Sequence, residues 1–66
     1  MRVTINGDGD TLPEGSTVDD VVALLGRGRK GVSVALNDEV VPRSRWADTR
    51  LADDDRVEVL TAAQGG

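Results

Sequence analysis

The chain has 66 residues, no cysteine, no histidine and a single aromatic side chain, Trp46. Twelve acidic against eight basic residues give a net charge of −4. A chain this short makes one small domain whose core is marginal. The missing residues exclude disulfides, thiol chemistry and imidazole acid–base or metal chemistry. An acidic, aromatic-poor surface is unsuited to nucleic acid, and a basic-faced protein partner fits the total charge better. No run is apolar enough to span a membrane. The first residues alternate instead of forming a signal-peptide core, so the expected location is cytoplasmic.

Met1, Val3 and Ile5 alternate with Arg2, Thr4 and Asn6, which predicts a half-buried strand. Asn6-Gly7-Asp8-Gly9-Asp10 is read as a turn, with Thr11-Leu12 as a short returning strand ended by Pro13. Thr17 is the expected N-cap of a helix, with Asp20 three residues on as an imperfect capping box and Asp19 complementing the helix dipole. Val18, Val21, Val22 and Leu25 fall on one helical face, Leu24 widens it, and Gly26 stops the helix. A basic connection follows, Gly26-Arg27-Gly28-Arg29-Lys30-Gly31. Val32, Val34 and Leu36 predict a third strand, Asn37-Asp38 a turn, and Glu39-Val40-Val41 a fourth strand ended by Pro42. Residues 43–48 are read as irregular or one short helical turn, with Trp46 a peripheral core residue at the sheet's edge. Leu51 is an expected core anchor, Asp53-Asp54-Asp55 a tight turn, and Val57 and Val59 the inward positions of a last strand, Arg56-Val57-Glu58-Val59-Leu60.

This order predicts an α+β roll of the β-grasp, ubiquitin-like type, with one main helix packed on a mixed sheet of four to five strands. Its first and last strands pair in parallel at the sheet centre. The expected core is Val3, Ile5, Leu12, Val18, Val21, Val22, Leu25, Val34, Leu36, Leu51, Val57 and Val59. The expected division is a domain over residues 1–60 and a flexible tail over 61–66.

Several motifs invite chemistry. Gly26-x-Gly28-x-x-Gly31 matches a dinucleotide fingerprint in letters, but a helix precedes it and a strand follows, the reverse of what a phosphate at a helix N-terminus requires. It is read as a helix stop and loop. Asp8-Gly9-Asp10 and the acidic triplet at 53–55 lack the spaced ligands of a calcium loop, so they are turns and no metal site is expected. Ser44 has no histidine to activate it. Arg27, Arg29, Lys30, Arg43 and Arg45 are solvated cations with some prospect of meeting a partner's carboxylates. What remains is the end, Gln64-Gly65-Gly66. Glycines lack Cβ, so such a tail fits a narrow channel. An α-carboxylate, with a pKa of about 3.5, is ionised and attacks phosphorus unaided. Gly66 is therefore the expected reacting residue, with Gly65 and Gln64 giving access. Leu60, outward if Val57 and Val59 point inward, is a candidate partner contact.

The chain is similar to the sulfur carrier proteins of thiamine biosynthesis, the ThiS family of ubiquitin-like β-grasp domains. The resemblance runs through the strand ending in Asn6-Gly7 and through Leu12-Pro13-Glu14-Gly15-Ser16-Thr17-Val18. It continues in Val34-Ala35-Leu36-Asn37, Val40-Val41-Pro42-Arg43-Ser44-Arg45-Trp46 and Asp53-Asp54-Asp55-Arg56-Val57, and ends at Gln64-Gly65-Gly66. Asp54 stands where the family usually has glycine. The resemblance implies a carrier and not an enzyme. An adenylating (E1-like) enzyme would use ATP and magnesium, bound by it and not by this chain, to convert the Gly66 carboxylate to an acyl-adenylate. Sulfur drawn through a cysteine desulfurase would displace AMP and leave a thiocarboxylate (1-thioglycine), which thiazole synthase would consume in building the thiazole ring. The alternatives are the small subunit of molybdopterin synthase, a sulfur carrier on the same fold, and a ubiquitin-like protein modifier.

Overall fold

The computed structural model describes residues 1–26 and 30–61. Strand β1 (Arg2–Ile5) turns through Asn6 and Gly7 into β2 (Asp8–Thr11). Both turn residues have positive φ, 52° and 86°, the mark of a two-residue type I′ hairpin. This turn is tighter than the sequence suggests. The strand therefore starts at Asp8, and Leu12 lies just beyond it, partly buried. All four β2 residues are exposed, so backbone pairing to β1 defines the strand where a hydrophobic pattern cannot.

Helix α1 (Val18–Leu25) begins at a complete capping box. Asp20 N donates to Thr17 Oγ1 at 3.2 Å, and Thr17 N donates to Asp20 Oδ2 at 2.9 Å. It ends at Gly26 in the left-handed region at φ 68°, where a Cβ would be strained. Val18, Val21 and Val22 are buried, and Leu25 is partly so. Leu24 does not widen this face: it is 59% exposed, because the helix meets the sheet through a narrower stripe than its apolar residues occupy.

β3 (Val32–Leu36) and β4 (Glu39–Val41) form a second hairpin through Asn37 and Asp38, at φ 50° and 72°. Residues 43–48 form a 3₁₀ helix (Arg43–Asp48) packed against α1. Within it Trp46 is 1% exposed, a central core residue and not a peripheral one. Its indole Nε1 donates to Val41 O at 2.9 Å, which removes the cost of burying a polar atom. β5 (Arg56–Thr61) closes the sheet.

The strand order is β2-β1-β5-β3-β4, with β1 and β5 parallel and every other neighbouring pair antiparallel. This is the expected β-grasp roll, with one helix on a five-stranded mixed sheet. The core holds most of the expected residues and adds Val32 and Trp46. Leu12, Leu25 and Leu36 pack only at its margin. β5 runs one residue past the expected domain boundary, to Thr61.

Candidate functional site

The expected reacting residue, Gly66, lies outside the described residues with Gln64 and Gly65, as do Arg27, Gly28 and Arg29. What the structure defines is the base from which residues 62–66 depart. That base is β5, the central strand. Val57 and Val59 face the helix and are buried, so period-two alternation sends Glu58 and Leu60 to the opposite face. Leu60 is 66% exposed there, as its register requires. Ser33 lies opposite Leu60, while Ala35 lies between Glu58 and Val40. Val40 is exposed too, so the helix-free face offers scattered apolar contacts near the strand's end. Thr61, the last described residue, faces Val32 across the ladder.

Two asparagines fix β5, and neither is legible in the sequence as more than a turn residue. On one side the parallel register ends at Ile5↔Val57. There Asn6 N donates to Val57 O at 2.9 Å, and Val59 N donates to Asn6 Oδ1 at 2.8 Å. The side-chain carbonyl stands where the next backbone carbonyl would be if β1 had not turned. On the other side Asn37 N donates to Arg56 O, and Arg56 N donates to Asn37 Oδ1 at 2.9 Å. The signal that could reveal these roles is Asn, rather than Asp, at the first position of each type I′ turn. Its side-chain oxygen can accept from the backbone N–H of a neighbouring strand, and the Asn37 amide also donates to Asp55.

The remaining motifs resolve into structure. Gly26 caps the helix, and Gly31 at φ 71° leads into β3, so the glycine pattern runs from helix to strand. Asp53 Oδ1 accepts from Arg2 N at 2.7 Å, and Asp55 accepts from Ala52 N and Asn37 Nδ2. Asp54 has φ 71°, a conformation that favours glycine and that Asp tolerates. Among the described residues no group of three or more Asp or Glu side chains is placed to hold a metal ion. Ser44 and Arg45 are exposed on the 3₁₀ helix, and the Arg43 guanidinium lies 5.8 Å from the Trp46 ring centroid, a cation–π contact. No helix among the described residues is long and apolar enough to cross a membrane.

The model of the ThiS family matches residues 3–66, nearly the whole chain. The chain belongs to the ThiS family. Among its relatives, the sulfur carrier protein ThiS of Thermus thermophilus is 41% identical over 64 residues, covering 97% of this chain and 98% of that one. The sulfur carrier protein ThiS of Escherichia coli is 27% identical over 66 residues, the full length of both. The chain also matches a thiazole synthase of Paramagnetospirillum magneticum at 32% identity over 66 residues, and it spans only 20% of that protein's length. The crystal structure of the thiamine biosynthesis protein ThiS from Geobacter metallireducens superposes with a TM-score of 0.82 at 33% identity, each chain covered in full. The ThiS fold is thus shared along the whole length.

Proposed function

We propose that this chain is a sulfur carrier of thiamine biosynthesis, with the Gly66 carboxylate as the group that carries the sulfur. The observation behind this reading is the full-length match to sulfur carrier proteins, together with a central strand whose final residue, Thr61, stands at one end of the sheet. The chain acts as a co-substrate and not as a catalyst. A carboxylate is a poor acceptor for a sulfur nucleophile, and adenylation gives it AMP as a leaving group. The adenylating enzyme supplies ATP and magnesium. Carboxylate oxygen attacks the α-phosphorus and pyrophosphate leaves. A persulfide sulfur, traceable to cysteine through a desulfurase, then attacks the acyl carbon and AMP leaves. Reductive cleavage of the resulting acyl disulfide by a thiol frees the thiocarboxylate. Thiazole synthase is the proposed acceptor, and one relative joins a matching segment to a protein of that name. Gly65 and Gln64 supply access, since a residue without Cβ passes a narrow channel. The reactions are placed in the cytoplasm.

Intact mass tests the reading. Incubated with the adenylating enzyme, ATP, a persulfide source and a reducing thiol, the carrier gains the mass difference of one oxygen replaced by sulfur. Deletion of Gly66 abolishes the gain. An unchanged mass, with an enzyme shown to be active on another carrier, overturns the reading. A covalent adduct with lysines of other proteins points to a modifier instead.

A further inference from the structure

The total charge of −4 suggests a basic partner, but the fold distributes that charge unevenly along β5. At the strand's entry end lie the acidic turn at 53–55 and the Asp38-Glu39 turn, next to Arg56. The start of α1, with Asp19 and Asp20 in its first turn, lies at this same end. It is fastened there by Val18 N donating to Thr49 O and Leu51 N donating to Ser16 O, while Glu14 pairs with the Met1 ammonium at 3.5 Å. Arg2, Arg50 and Arg56 also lie at this end, and Asp38 pairs with Arg56 at 3.1 Å, but the carboxylates there outnumber these cations.

The exit end is different. β3 starts there, with Val32 opposite Thr61, and Lys30 stands two residues before Val32. Lys30 is exposed and makes no ion pair among the described residues. Asp8, which opens β2 after the Asn6-Gly7 turn, is the acidic residue of this end, and Glu58 lies further back on the helix-free face. The carrier thus has an acidic pole opposite the end from which residues 62–66 depart.

From this polarity we infer that the surface receiving the tail is acidic at its rim. The adenylating enzyme carries carboxylates around the mouth of the channel that admits residues 62–66, and these meet Lys30, which precedes β3 at the end of the sheet where β5 finishes. This deepens the carrier reading and rests on it. Nucleotide phosphates are the other anions at hand, but five extended residues span about 18 Å, so a cation at the base of the tail does not reach phosphates engaged at its tip. A carboxylate rim attracts the exit end and repels the acidic pole, so encounters arrive tail first. Such steering acts on the rate of association and weakens as salt rises.

The test is pyrophosphate release by the cognate adenylating enzyme, at carrier concentrations well below saturation, across a range of salt. Lys30→Glu is expected to lower kcat/KM by about three- to tenfold at low salt with kcat unchanged, and Lys30→Ala by less. The difference from the wild-type carrier shrinks at high salt. Glu39→Gln, at the far pole, stays within about twofold. Circular dichroism checks that each variant is folded. Lys30→Glu turning over as fast as wild type, or faster, overturns the acidic rim while leaving the carrier reading intact. A wild-type carrier that is never converted overturns both.

Discussion

Asn6 holds a left-handed backbone at φ 52° and lends its side-chain carbonyl to Val59 N. Asn6→Ala loses both, because Ala strains at positive φ and leaves Val59 N without its acceptor. The expected cost is about 2 kcal/mol. Asn6→Asp keeps the acceptor and the tolerated backbone and retains most of the stability. Urea titration of the two variants separates these outcomes. Leu60 makes the opposite case. At 66% exposed it contributes little to the fold, so Leu60→Asp should change stability by no more than about 0.5 kcal/mol while weakening capture by the adenylating enzyme. A pulldown and a melt on the same sample check this, and an unfolded variant would mean that Leu60 belongs to the core. Alternation alone gave the outward position of Leu60. The second role of Asn6 stayed hidden, since Asn-Gly already explains itself as a turn.

Helix α1 has only eight residues and three valines, too short and too poor in helix formers to persist alone. Its start therefore depends on the reciprocal bonds between Thr17 and Asp20. Thr17→Ala removes the side-chain acceptor and should cost about 1 kcal/mol, seen as a fall in melting temperature of about 4–8 °C for a domain of this size. The helix was legible in the sequence because its cap, stripe and stop agree. The sequence pattern puts β2 at Thr11-Leu12, whereas the strand runs over Asp8–Thr11. Asp8-Gly9-Asp10-Thr11 shows no apolar alternation, and an exposed edge strand held by its neighbour's backbone leaves no such trace. Leu24 misled for the complementary reason: periodicity tells which side of a helix a residue occupies, not how wide the sheet beneath it is.

At the scale of the molecule, the sheet order follows from the sequence once two hairpins, one helix and a final strand are recognised, because few right-handed arrangements join them. The depth of Trp46 does not. Its neighbours Arg43, Ser44 and Arg45 are polar, and tertiary packing, including that of the 3₁₀ helix on α1, seals it. A small core leaves little reserve. Val57 is 1% exposed at its centre, and Val57→Ala should cost about 2–3 kcal/mol from lost burial and the cavity left behind. Set against a total of about 3–10 kcal/mol for a chain this long, that lowers the denaturation midpoint strongly while the slope stays unchanged. The parallel pairing of β1 with β5 has a consequence for the chain's birth. The first strand made must wait for the last, so both hairpins and the helix emerge from the ribosome before the sheet has a middle. Until then β1 and β3 each present an open edge to other nascent chains, the hazard that pairing within one sheet removes. Substitutions that speed the arrival or docking of β5 should therefore improve soluble yield without raising equilibrium stability in proportion.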